Sequence, residues 1–239
     1  MKYSLIIALL FCTVTVKSQV LLSLIFGDKL NSPNIEFGLE GGGNFSTISN
    51  LEGAKRDLSF NLGFYFDFML KNPSWIINTG VIVKSPMGAE GLPVYSLNNE
   101  DLDAVFEGGT VDRNIRYFNV PILIKYKFQN NIFVKGGPQL GLLSKAFDEF
   151  KKEVEGEDIV YKNNIRDQIH VIDAGLALGL GYHLKGGNGM NFGLQYYYGL
   201  VPLMKGDSSP NQFNRALYFT AGIPIGKGAA AKKASEDKK

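Results

Sequence analysis

The chain has 239 residues and a formal net charge of +2, with 28 glycines, 17 phenylalanines and 11 tyrosines against one tryptophan, two histidines and one cysteine. A balance of charge spread along the chain excludes the basic stripe of a nucleic-acid binder, and a single cysteine excludes a disulfide framework or a thiolate metal site. Many glycines beside many aromatics suit strands with one crowded face and one greasy face.

Residues 1–18 have the layout of a secretory signal: Lys2, an apolar run from Leu5 to Val16 that contains Cys12, then Lys17-Ser18 ahead of Gln19. That run is too short to cross a bilayer as a helix, and no later segment offers the ~18 apolar residues a spanning helix needs. Any membrane crossing by the mature chain is therefore made by strands. Residues 19–33, with the apolar stretch Val20 to Phe26, read as a periplasmic lead ahead of a barrel over 34–226.

The first strand alternates Ile35, Phe37 and Leu39 with Glu36, Gly38 and Glu40. The second is the clearest: Leu58, Phe60, Leu62, Phe64, Phe66, Phe68 and Leu70 share one parity against Ser59, Asn61, Gly63, Tyr65 and Asp67. A helix would scatter those side chains around its circumference, whereas a strand puts them on one face. Trp75, Ile77, Thr79, Val81 and Val83 then oppose Asn78 and Gly80. Phe118 to Phe128 on even positions oppose Asn119, Pro121, Lys125 and Lys127, and Ile132, Val134, Leu140 and Leu142 oppose Lys135, Gly137, Gln139 and Gly141. Ile172 to Tyr182 on even positions oppose Asp173 and four small residues; Phe192, Leu194, Tyr196 and Tyr198 oppose Asn191, Gly193 and Gln195; Leu217, Phe219, Ala221 and Ile223 oppose Tyr218, Thr220 and Gly222.

Short turns at 71–73, 129–131 and 185–189 alternate with long connections at roughly 47–57, 85–113, 145–167 and 201–213. That asymmetry is the mark of a barrel whose short turns face the periplasm and whose long loops face outside. Strands of eleven to thirteen residues, at ~3.3 Å per residue and tilted ~40°, span roughly 28–33 Å, enough for the ~25 Å apolar band of an outer-membrane barrel. The expected fold is all-β, an eight-stranded antiparallel transmembrane β-barrel of the outer-membrane type.

A soluble barrel would place the bulky face inside, yet an eight-stranded cylinder has room only for a single layer of side chains. The small and polar face therefore fills the lumen and the bulky face meets lipid, outer-membrane lipid being the first expected partner. Pro121 and Pro224 fall on the lumen parity and are expected at bulges or strand ends, because each removes a ladder hydrogen bond. In the connection 145–167, Phe147, Phe150 and Val154 suggest one amphipathic helical turn ended by Gly156. Residues 227–239, rich in alanine and lysine, read as a disordered periplasmic tail.

The stretch Tyr117-Phe118-Asn119-Val120-Pro121-Ile122-Leu123-Ile124-Lys125-Tyr126, followed by Val134-Lys135-Gly136-Gly137-Pro138, resembles the central signature of the outer-membrane β-barrel family of Bacteroidota that includes the PorT-like proteins. Glu40 to Ser46 similarly resembles that family's first strand. The resemblance covers most of residues 34–226 and implies a barrel, with protein secretion by the type IX route as the activity of some members and secretion or envelope proteins as partners. It carries no catalytic motif. One departure is the end of the last strand, where Ile225 stands in place of a terminal aromatic residue and a tail follows.

No catalytic, cofactor or metal residues are expected. His170 and His183 are the only histidines, and thirteen residues of strand would hold them roughly 43 Å apart, too far to share a metal. Gly175, Gly179 and Gly181 lie on one strand face with no helix following, so they form no dinucleotide loop. Glu36, Glu40, Asp67, Lys125, Lys135 and Asp173 are expected to point into the lumen and pair there as a polar plug, since an unpaired ion in a narrow interior is costly. The acidic loop 85–113 lacks the spacing of a calcium loop. Three roles follow: a non-enzymatic barrel acting in secretion or envelope assembly through its loops and periplasmic ends, a small passive channel, or an enzyme at the outer rim near His170.

Overall fold

Two-residue alternation builds strands throughout the computed structural model, which describes residue 32 and residues 34–185, 189–206 and 210–225. The expectations for the signal at 1–18, for nearly all of the lead at 19–33 and for the tail at 227–239 lie outside the described residues. The strands are β1 (Ile35–Ser49), β2 (Asp57–Met69), β3 (Trp75–Lys84), β4 (Pro86–Leu92), β5 (Thr110–Lys127), β6 (Ile132–Val154), β7 (Glu157–Asn164), β8 (Ile172–His183), β9 (Asn191–Gly199) and β10 (Phe213–Pro224). The α-helix α1 (Glu100–Phe106) is capped by the Asn99 side chain, which accepts from the backbone N–H groups of Asp101 and Leu102, and a 3-10 turn spans Arg166–Gln168.

Eight of the strands close a ring in the order β1, β2, β3, β5, β6, β8, β9, β10, every pairing antiparallel. The seam between β1 and β10 runs unbroken from Gly38↔Pro224 to Ser49↔Phe213. Closure leaves the ring no free edge, so every strand can satisfy its backbone groups against neighbours, as a strand in hydrocarbon must. Among the described residues no helix is long and apolar enough to cross a membrane. The two remaining strands, β4 and β7, lie within the long connections and form ladders with the outer portions of β5 and β6, and Glu90 of β4 is also bridged to Lys55 on its other side.

The faces separate as alternation requires. Phe60, Phe118, Leu178 and Phe219 are between 44% and 68% exposed, whereas Asn61, Asn119, Gln195 and Tyr218 on the opposite parity are 4% exposed or less. The greasy side is therefore the outside of the cylinder. On it, Phe37, Phe64, Phe66 and Phe68 form a ladder of rings 5.0–6.2 Å apart. At the short-turn end Trp75 packs edge-on against Tyr126 at 4.8 Å, part of an aromatic girdle of the kind that marks a membrane interface.

Glycine sets the interior width. Gly38 pairs with Tyr65 and Gly181 with Phe133, and a β-carbon at either glycine would come within 2.5 Å of the opposing ring. Absent side chains on one wall thus make room for a ring reaching across from the next.

Two local expectations fail. Lys145 to Asp167 contains no α-helix: β6 continues to Val154 and turns through Glu155 and Gly156, whose φ values are 55° and 86°, into β7. With Val154 paired to Glu157, this is the two-residue hairpin whose left-handed central residues match the twist of the strands. The spacing of Phe147, Phe150 and Val154 imitates a helix by coincidence, since on the strand Phe150 and Val154 share one parity, with Phe150 fully buried, while Phe147 lies on the other. Pro121, moreover, sits inside β5 opposite Gln139, with no register shift there. Pairing between β3 and β5 lapses from Thr79↔Ile122 to Ile82↔Asn119, the stretch that holds the proline without an N–H, and the Thr79 hydroxyl donates to the Pro121 carbonyl at 2.7 Å there. Pro224 ends β10 as expected. The bulges fall at Val83, in the β2–β3 ladder, and at Ser144, in the β5–β6 ladder.

Candidate functional site

The lumen-parity charges are distributed over two levels. Toward the short-turn end, Lys125 on β5 reaches Asp67 on β2 at 2.5 Å, and the Asn78 amide donates to the other Asp67 oxygen at 2.6 Å. Lys125 also stands 4.6 Å over the Phe133 ring, while Glu36 accepts from the Tyr65 hydroxyl at 3.1 Å. Lys135 on β6 faces Glu40 on β1 at 3.9 Å. Five of the six residues singled out from sequence therefore find polar partners inside the cylinder, in three groups: Glu36 with Tyr65, Asp67 with Lys125, and Glu40 with Lys135. Asp173 does not join them: it starts β8 at the opposite end, where it accepts from the Asn214 amide at 3.0 Å.

Between those levels lies a belt that alternation could not assemble. Asn44, Ser46, Asn61, Asn119 and Gln139, from β1, β2, β5 and β6, are all buried to 1% exposure or less and leave amide and hydroxyl capacity that the protein itself does not use. Tyr117, Tyr197 and Tyr218 are buried on the same inner face, Tyr218 directly opposite Asn44 in the β1–β10 ladder.

The long-connection end is sealed by an apolar cap. After the Val83 bulge the chain turns inward: the Asn44 amide and the Ser59 hydroxyl donate to the Pro86 carbonyl at 2.5 Å and 3.2 Å, and Ser85 shares a hydrogen bond of 3.2 Å with the Tyr218 hydroxyl on β10. β4 thus leans over the mouth and buries Met87 and Ala89 completely. Phe106 of α1, Phe150, Ile165, Ile169 and Leu203 complete this core from the other connections. Arg113 clamps Asp148 through two nitrogens at 2.9 Å and 2.7 Å, and the Tyr95 hydroxyl donates to the same carboxylate at 2.8 Å. Burial, then the adjacent Asp148 charge, pushes the Tyr95 phenol up to about 12. An open cavity of about 510 Å³ lies beside this group, lined by Tyr95, Asp103, Phe106, Glu107 and Phe150.

An acidic group at the rim titrates near neutrality. Burial first, then a hydrogen bond to Glu90 and the charges of Glu90 and Asp112, raise the Asp57 carboxyl from 3.8 to about 6, with Lys151 acting the other way. Lys151 itself is held by Asp112 at 2.7 Å and Glu149 at 3.7 Å. Because the closed rim binds a proton more tightly than an opened one, the closed form gains on acidification between about 6 and 3.8, and above 6 the repulsion is fully present. The protection factors of amides in the 50–56 connection, each rate taken relative to the intrinsic exchange rate at the same pH, should accordingly rise on going from pH 7 to pH 5, and Asp57→Asn should abolish the rise. Wild-type protection factors equal at the two pH values would refute the coupling.

The two histidines stand apart, one before β8 and one at its end. His170 lies outside β8 and its Nδ1–H donates to the Pro202 carbonyl at 2.7 Å; His183 packs against Phe133 with ring centres 5.1 Å apart. Among the described residues no group of three histidine, cysteine or acidic side chains is arranged to hold a metal. The polar belt and the inward-leaning β4 escaped sequence reasoning. The only available signal for β4 was the glycine pair Gly88 and Gly91, both at positive φ, in a stretch otherwise read as loop.

A ring of eight antiparallel strands, greasy outside and packed with charge pairs, amides and tyrosines inside, is a small transmembrane β-barrel. The chain belongs to the family described as outer membrane protein beta-barrel domain, whose model matches residues 28–205, and its place is the outer membrane. Among solved structures it is similar to Ail, the attachment invasion locus protein of Yersinia pestis (14% identity, 79% of this chain and 97% of that one, TM-score 0.43). It is also similar to the outer membrane protein OprG from Pseudomonas aeruginosa (15% identity, 81% and 95% of the two chains, TM-score 0.36). Comparison with curated protein sequences finds no significant match.

Proposed function

We propose that this barrel is a non-enzymatic envelope protein that contributes to protein secretion of the type IX kind, or to envelope assembly, through its outer connections and periplasmic ends. The observation that carries the reading is the sheet standing above the membrane. β4, β5, β6 and β7 continue past the ring as an open sheet, whose β7 edge pairs on one side only, whereas the far edge of β4 is bridged to Lys55 through Glu90. The unpaired edge of β7 and exposed side chains such as Val160 and Tyr161 offer a surface for protein contact. The PorT-like resemblance of residues 117–126 and 134–138 supports the secretion variant, and the contacts of His170 with backbone rather than with a carboxylate or serine support the absence of rim catalysis.

Deleting the gene should reduce the protein content of the culture medium or sensitise cells to detergent; an unchanged secretome together with unchanged detergent resistance would remove the proposal. The filled lumen carries its own expected result. Pairing of Lys125 with Asp67 and the apolar cap obstruct the axis at two levels, so purified protein in planar bilayers should give no stepwise current, and reproducible single-channel steps would restore a passive channel as its role.

A further inference from the structure

The outer surface changes character abruptly on three adjacent strands. On β5 the outward residues from Phe128 back to Phe118 are apolar or aromatic, a run of ~33 Å along the strand and ~25 Å of height at a ~40° tilt, which is the thickness of the hydrocarbon band. The next outward residue is Arg116. On β3 the apolar series ends at Val83 and Lys84 follows; on β6 it ends at Leu142 and, past the Ser144 bulge, Lys145 follows. Lys145 pairs with Arg116 across the ladder, so three cations stand at one level where headgroups begin.

They also share one cavity. Two bulges flank β5 at this height, and Val83, Lys84 and Ser85 face only Tyr117 and Phe118, because the ladder stops at Ile82↔Asn119 and resumes at Pro86↔Arg116. The opening in the wall has a volume of about 390 Å³, and its lining includes Lys84, Arg116 and Lys145 with Val83, Phe118 and Ser144. All three cations are exposed, and among the described residues none of them is in a salt bridge. Arg116 donates to the Asn114 side chain at 3.2 Å and lies 5.4 Å from the Phe147 ring centre, and Lys84 lies 5.9 Å over Phe60. Asp148 on β6 is buried with Arg113, and the next acid that shares the parity of Lys145, Glu149, is taken by Lys162 at 2.7 Å and Lys151 at 3.7 Å. The heads of Lys84 and Arg116 lie over aromatic faces, which are uncharged and leave the positive charge unneutralised and open to an anion.

We propose that this cavity binds the phosphate-bearing headgroup of an outer-leaflet lipid, Lys84, Arg116 and Lys145 contacting the phosphate while an acyl chain runs down over Val83, Phe118 and Leu142. A free anion would match the charge but gain nothing from the apolar surface directly beneath, which is 44% exposed at Val83, 44% at Phe118 and 54% at Leu142. A zwitterionic lipid would match the apolar surface and lack the net charge.

The test is native mass spectrometry of the full chain in detergent micelles, titrated with dioleoyl phosphatidic acid, with dioleoyl phosphatidylcholine and with inorganic phosphate. Phosphatidic acid should be retained at least tenfold more strongly than phosphatidylcholine. At ~5-fold per cation near a lipid surface, the triple variant Lys84→Gln, Arg116→Gln, Lys145→Gln should weaken it on the order of 100-fold. A charge-matched triple at Lys55, Lys71 and Lys185 should change it less than about threefold, charge alone being screened away from the site. Folding is checked by the gel-mobility shift on heating, and if the triple fails to fold, Arg116→Gln alone should still show its ~5-fold loss. Equal retention of the two lipids, equal losses in the two triples, or phosphate displacing the lipid and binding as tightly by itself would each overturn the proposal.

Discussion

Lys125→Met should destabilise the barrel by about 3–5 kcal/mol, the usual cost of leaving a buried charge without its partner. The reason lies in the lumen. Lys125 and Asp67 are 3% and 2% exposed, they meet at 2.5 Å, and the remaining neighbour of the carboxylate is the Asn78 amide, which compensates only part of a full charge. The methionine keeps the length and volume of the lysine stem while removing the nitrogen that stands over Phe133, so the loss reports chiefly on the charge. Changing both partners, Asp67→Asn with Lys125→Met, should recover most of the loss, because a neutral pair of similar volume requires no desolvated ion. Urea unfolding in lipid vesicles can be followed by the single tryptophan, Trp75, which sits in the girdle against Tyr126. A single variant within about 1 kcal/mol of the parent, or a double variant no better than the single, would show that the pair does not hold the lumen.

The second large effect is expected at the seam. A β-carbon on Gly42 would come 1.9 Å from the Phe219 carbonyl oxygen of β10, and backbone cannot rotate away as a side chain can. Gly42→Val should therefore disrupt the β1–β10 pairing, costing ~3 kcal/mol or more and reducing the fraction of protein that migrates as folded before heating. Gly43, its neighbour, is the control: a β-carbon there meets nothing nearer than the Phe45 ring at 3.8 Å, so Gly43→Ala should stay within ~0.5 kcal/mol. Closure makes the seam sensitive in a way an open sheet would not be, because every other ladder depends on β1 and β10 meeting in register. Equal behaviour of the two variants would contradict the close approach at Gly42.

Particular segments show how much could be read in advance. β2 was plain because seven bulky residues on one parity leave no helical alternative, and the eight ring strands follow from the same test with the alternation of short and long connections. The lumen charges were found because period two assigns Asp67 and Lys125 to the inner face whatever their partners. Who pairs with whom was not available: Asp67 meets Lys125 and Glu40 meets Lys135 only because strand stagger brings those levels together. The same stagger removes Asp173 to the other end, beside Asn214. The hairpin at Glu155 and Gly156 was missed because three apolar residues three and four apart also fit a helix, and only pairing with β7 decides between them.

By itself the sequence determined the faces of each strand, their number in the ring and the side on which the long connections gather, since these depend on the two-residue repeat and on chain length between repeats. Only the tertiary structure decided the charge partners, the inward lean of β4 that closes the mouth, and the meeting of Lys84, Arg116 and Lys145 around one opening. Those features arise from register and bulges, and register is settled by all eight ladders closing at once, a condition that no single segment carries.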